Sequence, residues 1–471
     1  MLRRSLALAA LALVACAPAR PAARPAGNPA SAGAAAPLPN PDPYPSTYRP
    51  RPAPPTLLRG GTILTAAGRV IPEGDLLMVD GKIAYVGSRT DNLPPNTQIV
   101  DVRGKYVTPG LIDTHSHLGV YPSPGVAAHS DGNEATDPNT AEVWAEHSVW
   151  PQDPGFAAAL AGGVTTLQIL PGSANLFGGR SVVLKNVPAR TVQEMKFPGA
   201  PYGLKMACGE NPKRVYGSRG RAPSTRMGNF AGYRTAWIRA QEYKRRWEEW
   251  ERQGRPADRI PSRDLELETL AGVLRGDILV HNHCYRADEM AFVLDMAREF
   301  GYKVRSFHHA VEAYKIRDLL ARDSVSGSMW ADWWGFKMEA LDATNANIAL
   351  VHSAGARAIV HSDDPGGIQR LNQEAAKALA AGREMGLTIS DDEALRWITA
   401  NPAWALGILD KTGTLEVGKM ADVVVWSRHP FSVYALAEKV YVDGALLYDR
   451  ADPSRQPRSD FEVGTRDWRK P

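Results

Sequence analysis

Short apolar runs alternate with longer amphipathic stretches along most of this chain. Runs of four to eight apolar or β-branched residues read as strands, and apolar positions three and four apart read as helices. By that pattern residues 163–170, 203–207, 277–281, 303–308 and 356–361 are strands. Residues 287–300, 369–385 and 390–400 are helices, with Gly301 and Gly386 as C-caps of the first two. Strands alternating with helices predict an α/β fold.

The flanks of this region have a different rhythm. Residues 61–65, 75–79 and 82–86 are strand candidates, with Asp80-Gly81 as a hairpin turn. Residues 413–418, 421–426 and 440–447 repeat the pattern near the C-terminus. Neither piece holds much core alone; together they predict one small β-domain closed from both ends of the chain. Residues 233–253 read as a charged, tryptophan-rich helix within an insertion near 217–263. Its aromatic and basic side chains either touch a ligand or pack on the domain and solvate their charges.

The N-terminus reads as a leader. Met1-Leu2-Arg3-Arg4-Ser5 is basic, and the apolar residues 6–15 are too short to span a bilayer. Leu13-Val14-Ala15-Cys16 resembles the lipobox of bacterial lipoproteins, which implies lipidation at Cys16. Residues 17–57 are rich in proline and alanine and suit a tether. This predicts a bacterial cell-envelope lipoprotein on the periplasmic face of the outer membrane, held by acyl chains alone. An ordinary cleaved signal peptide is the alternative. The 55 Lys and Arg against 51 Asp and Glu give a formal charge of +4 with the signs interleaved, so no nucleic-acid partner is expected. After Cys16 only Cys208 and Cys284 remain, enough for one disulfide and no stapled scaffold.

The candidate chemistry lies at the ends of the predicted strands. His115 and His117 close the apolar run 106–112, and the period of two on a strand points both imidazoles the same way. Two neutral imidazoles make half of a divalent-metal site. His281 and His283 close another strand, His308 and His309 the next, and His361-Ser362-Asp363-Asp364 the last. In a barrel, C-terminal strand ends are where active sites form.

Pro109-Gly110-Leu111-Ile112-Asp113-Thr114-His115-Ser116-His117 resembles the first barrel strand of the amidohydrolase superfamily. Asn401-Pro402-Ala403-Trp404 and the stretch from Gly413 to Val424 resemble its C-terminal signature. Imidazolonepropionase-like members and Xaa-Pro dipeptidases are nearest. The resemblance implies an α/β chain built as a (β/α)8 TIM barrel over residues 109–409. A small composite β-sandwich-like domain from 58–108 and 410–450 flanks it, with a tail at 451–471. It also implies a metal-dependent hydrolase acting through a metal-activated water.

Carried over residue by residue, the resemblance assigns His115, His117, His281, His309 and Asp363 as metal ligands. His281 is preferred over His283, which then lies near the substrate. Lys205 fits a fourth-strand lysine that carbon dioxide converts to a bridging carbamate, with Glu210 as the alternative bridge. Otherwise the segment from Glu210 to Arg214 forms a loop over the mouth. Asp363 is the proton acceptor, and His309 or His283 steadies the oxyanion. One or two ions are expected, zinc first, with manganese or iron compatible.

Arg180 and Arg286 are candidate carboxylate clamps. Trp330, Trp333 and Trp334, near Lys337 and Glu339, either line an apolar wall or pack in the core. The substrate expected is a small amide, dipeptide or cyclic amide. A lactone or N-acyl substrate in the same site, or a non-catalytic tethered binding lipoprotein, are the alternatives. A homo-oligomer is compatible with the sequence.

Overall fold

The computed structural model describes residues 42–456. The leader, Cys16, most of the tether and residues 457–471 of the tail lie outside the described residues. The chain enters through β1 (Thr56–Leu64), β2 (Val70–Val79), β3 (Lys82–Gly87), β4 (Gln98–Asp101) and β5 (Tyr106–Pro109). Asp80 and Gly81 make the turn between β2 and β3, both with positive φ. β1 is shared: residues 56–59 pair with β4 and residues 62–63 with β5.

From β5 the chain passes through Gly110 into the barrel. A Cβ there would lie 2.0 Å from Thr165 Oγ1, so only glycine leaves room for the Thr165 side chain. Eight strands follow: β6 (Leu111–Ser116), β7 (Val164–Ile169), β8 (Phe177–Lys185), β9 (Gly203–Ala207), β10 (Leu279–Cys284), β11 (Val304–His309), β12 (Ser326–Met329) and β13 (Arg357–Val360). Each neighbours the next in sequence order. β6 to β9 are buried along their whole length, as expected for strands covered on both faces. β13 meets β6 to close the ring. The Asp363 N–H donates to the His115 carbonyl at 3.0 Å, and the Ser362 N–H donates to Asp113 Oδ1 at 3.2 Å.

The architecture is the expected TIM-like barrel with one departure: β8 runs antiparallel to both β7 and β9, whereas the other barrel pairs are parallel. The antiparallel entry needs no crossover helix. A short segment, residues 170–176, joins β7 to β8 at the mouth.

The chain then returns to the first sheet as β14 (Val423–Trp426), β15 (Ala437–Val442) and β16 (Ala445–Asp449). The completed order is β16-β15-β14-β5-β1-β2-β3, so both ends of the chain build one sheet. Leu58, Ile63, Leu76, Val107, Val423 and Tyr441 belong to its own apolar core. Lys185, at the far end of β8, joins barrel to sheet. Its Nζ lies 2.9 Å from Asp422 Oδ1 and 3.0 Å from Asp443 Oδ1, with all three side chains buried. Tyr48 donates to the other oxygen of Asp443, and the Thr47 N–H donates to the Gln193 carbonyl at 3.0 Å. The end of the expected tether is thus lashed to the barrel flank.

Helix Arg226–Arg252 spans the stretch expected as a charged, tryptophan-rich helix. It buries Trp237, Trp247 and Trp250, and Trp237 stacks on Tyr302 at 4.4 Å. Arg234 and Arg239 pair with Glu299 and Glu266. Of the two readings of this helix, packing and charge solvation is the one realised. A disulfide joins Cys208 to Cys284, with Cα atoms 5.2 Å apart, across the mouth ends of β9 and β10. No helix among the described residues is long and apolar enough to cross a membrane.

Candidate metal centre

The mouth of the barrel gathers imidazoles from four strand ends. Ligand atoms of His115, His117 and Asp363 lie within 4.8 Å of one another, and those of His115, His309 and His361 form a second set sharing His115. Asp363 Oδ1 lies 3.2 Å from His117 Nε2 and 3.4 Å from His115 Nε2. Buried polar atoms without partners are rare in native proteins because desolvation without a bond is costly. Here Nδ1 of His309, Nδ1 of His361 and both ring nitrogens of His283 are buried and meet none. A divalent cation fits this donor set of neutral nitrogens and one carboxylate.

The protonation pattern agrees. Burial holds His115, His283, His308 and His309 well below the usual imidazole range, and His361 down at about 3, so the rings are neutral. Burial pushes Asp363 up, but the His117 hydrogen bond and neighbouring positive charge outweigh it and keep the carboxyl below its ordinary value. The carbonyl of Leu170 lies 2.9 Å from His117 Nδ1. A carbonyl can only accept, so Nδ1 carries a proton and Nε2 is the nitrogen left to face Asp363 and a cation.

His115 is ordered through two further rings. Its Nδ1 lies 2.9 Å from His308 Nδ1, and His308 Nε2 lies 2.9 Å from His281 Nδ1. With Nε2 of His115 bare, its proton is on Nδ1 and is donated to His308. His308 then donates from Nε2 to His281, whose own proton is left on Nε2. His281, expected as the fifth-strand ligand, spends its acceptor nitrogen here and joins neither donor set. His283, two residues nearer the mouth, faces the cavity instead.

Two ligand-bearing residues are held in uncommon backbone conformations. His309 has φ +67° and Asp363 φ +54°, and Ala310 follows at +41°. Such residues cost about 1–3 kcal/mol each and persist where surroundings over-determine them. Asp113 supplies part of that restraint. Its carboxylate accepts the His115 N–H at 3.0 Å, the Ser362 N–H at 3.2 Å and the Ser362 hydroxyl. Burial nevertheless pushes the Asp113 carboxyl up to about 7.

Lys205 is fully buried, its Nζ 3.2 Å from His115 Nε2. Burial lowers its ammonium to about 7, so a neutral amine is accessible at physiological pH. Glu210 opens helix Glu210–Gly217 at the rim, with Oε1 3.6 Å from Lys337 Nζ, and stands outside both donor sets. The expected loop from Glu210 to Arg214 is that helix.

Above the donors lies a cavity of about 480 Å³. Tyr121, Tyr285 and Phe336 give it apolar walls, and Arg214, Lys337 and Glu210 charge its rim. The two arginines expected as clamps do not line it. Arg180 is on the reversed strand, stacked 4.1 Å over Trp144 with its Nε donating to Thr269 Oγ1 at 2.8 Å. Arg286 forks onto Asp288 at the surface, at 2.9 and 2.8 Å. Trp330 stacks on His309 at 4.3 Å, while Trp333 and Trp334 are exposed beyond it. His361 and Arg214 were not assigned from sequence. His361 stands two residues before Asp363 at a strand end, the same i, i+2 signal that marks His115 and His117.

Comparison with known proteins gives a consistent set of relatives. A family model described as "Amidohydrolase family" matches residues 237–448. The chain is 33% identical over 413 residues to amidohydrolase tasK of Hapsidospora irregularis, covering 83% of this chain and 42% of that protein. The chain thus spans less than half the length of that relative. It is 25% identical over 414 residues to an imidazolonepropionase of Streptococcus gordonii, covering 81% of this chain and 92% of that protein. The crystal structure of an amidohydrolase from Thermotoga maritima superposes with a TM-score of 0.77 at 37% identity, over 84% of this chain and all (100%) of that one.

Proposed function

The chain belongs to the amidohydrolase family, and from that premise we propose that it cleaves a C–N bond in a small amide, dipeptide or cyclic amide. It is a metal-dependent hydrolase. The observation that carries this reading is the convergence of His115, His117, His309, His361 and Asp363 at the floor of one cavity.

In this reading His115, whose free lone pair is on Nε2, would hold one divalent ion with His117 and Asp363, and His309 would offer Nδ1 to a second. Zinc is the first choice for an imidazole-rich set, with manganese or iron compatible. A bound ion supplies a water of lowered pKa and polarises the carbonyl to be attacked. A neutral Lys205 amine would add to carbon dioxide with loss of one proton, and the resulting carbamate would supply the set with an anionic oxygen donor in place of an ammonium. Asp363 accepts the proton of the attacking water and delivers it to the leaving nitrogen. His283, with a free ring N–H facing the cavity, donates to the oxyanion as it develops. Cyclic amides are the first substrate class to test, given the similarity to an imidazolonepropionase; dipeptides follow.

A cell-envelope location accords with the leader-like N-terminus. The Cys208–Cys284 disulfide supports it independently, since such bonds persist in oxidising compartments.

The test is hydrolysis by the purified protein before and after chelation and after zinc or manganese return. A panel of cyclic amides, dipeptides, N-acyl amino acids and lactones serves as substrate. Metal-restored turnover of amides over lactones is expected. Turnover indifferent to chelation would overturn the metal reading, and preference for lactones the C–N reading.

A further inference from the structure

We propose that the substrate carries a carboxylate remote from the bond that is cut, and that Arg214 receives it. This deepens the reading above and rests on it. Two cations face the cavity, Lys337 and Arg214. Lys337 is already engaged. Its Nζ lies 3.8 Å over the Tyr285 ring, within 3.6 Å of Glu210 and 3.7 Å of Glu339, and donates to Asn211 Oδ1 at 3.3 Å. Glu339 is in turn clamped by Arg226, which also binds Glu289. Lys337 therefore belongs to a network that is neutralised within the protein.

Arg214 belongs to no such network. It is exposed on helix Glu210–Gly217, lines the same cavity as the donor residues, and makes no side-chain hydrogen bond or ion pair with any described residue. A free guanidinium at the rim of a site whose floor handles a carbonyl and a water is a fork for a planar anion. It matches a carboxylate through two parallel N–H···O bonds, which a lysine cannot reproduce. Tyr121, Tyr285 and Phe336 line the same cavity and offer ring faces for the body of the ligand to lie against. An N-acyl amino acid, a dipeptide or a cyclic amide bearing a short acid side arm meets all three requirements. A neutral amide without an acid group leaves Arg214 unused.

The test separates binding from turnover. N-acetyl-L-leucine, N-acetyl-L-phenylalanine and N-acetyl-L-proline are titrated calorimetrically into the protein with and without zinc, each against its C-terminal carboxamide. Arg214→Ala and Arg214→Lys are run beside the parent. At least one acid is expected to bind about 10- to 100-fold tighter than its amide, the range for a charge-assisted hydrogen-bonded pair. Arg214→Ala removes that preference and leaves the affinity of the amide within about twofold, taken as the resolution of the titration. Arg214→Lys recovers part of it. Acids and amides binding alike, no acid binding at all, or Arg214→Ala weakening both equally overturns the proposal. A carboxylate preference in a protein that hydrolyses nothing overturns the hydrolytic reading alone.

Discussion

Asp113→Ala is a demanding perturbation because its target touches no substrate. Its carboxylate accepts the buried His115 N–H, the buried Ser362 N–H and the Ser362 hydroxyl. The hydroxyl has a second acceptor in the His115 carbonyl at 3.3 Å, so alanine leaves two orphaned amides. At ~1–3 kcal/mol for each unsatisfied buried donor, the expected loss of stability is about 2–6 kcal/mol. Asparagine keeps one acceptor oxygen for both amides and introduces no charge to desolvate, so Asp113→Asn should lose no more than ~1 kcal/mol. Asp363 follows Ser362 in a left-handed conformation that this contact helps hold. Zinc affinity should therefore fall about 10- to 100-fold in the alanine variant, as for other outer-sphere partners, and much less in the asparagine variant. Urea unfolding of the metal-free protein gives the first quantity, and zinc competition with a chromogenic chelator the second. Alanine within ~1 kcal/mol of the parent with unchanged zinc affinity would refute the idea that Asp113 positions the ligand.

Three further outcomes are expected. Stripped of metal, the protein should lose stability on acidification: His281 and His361 sit at about 3 in the fold, below the unfolded imidazole. The contribution is intact above pH ~6.5 and falls by about 2 kcal/mol per group by pH 5, so a flat urea midpoint between pH 7 and 5 would contradict it. Replacing Cys208 and Cys284 by alanine opens a loop with a sequence separation of 76 residues and should lower stability by about 4 kcal/mol, read against the parent with and without reductant. Lys185→Met leaves Asp422 and Asp443 buried without their cation and should cost about 3–5 kcal/mol in unfolding experiments. Zinc affinity of its folded fraction should hold; if it drops, the far end of the barrel is coupled to the mouth.

The legible parts of the fold are those whose pattern is local. Strand Gly203–Ala207 and helix Ala287–Phe300 lie where periodicity places them. The β12 sequence Ser-Gly-Ser-Met carries no apolar signal, because its side chains fill the crowded barrel interior. Ser328 Oγ there lies 3.0 Å from Thr114 Oγ1 and 2.9 Å from Ser306 Oγ. Gly178 and Gly179 interrupt the apolar pattern of β8, and reversal of that strand is a tertiary choice no local run encodes. The helix expected over 390–400 is broken between Asp391–Leu395 and Ala400–Ala405. In the site, the pair His115 and His117 is legible from spacing alone. His281 and His283 share a parity, so only their depth along β10 separates the ring bonded to His308 from the ring facing the cavity. Arg214 has no sequence signal; its meaning comes from which other cations are already occupied.

The reversed strand has an engineering consequence. Where a parallel strand would need a helix behind the rim, the stretch from Leu170 to Leu176 is a short, mostly buried turn whose Gly172 and Ser173 face the cavity. Its scaffold is the segment before it: the Gly172 N–H donates to the Gly132 carbonyl at 2.7 Å, and the Asn175 side-chain amide donates to the Glu134 and Asp137 carbonyls at 2.7 and 2.8 Å. Changing Ser173, with the Leu170 carbonyl left in place to orient His117, would reshape the ligand space from one side, making it the natural place to graft new selectivity.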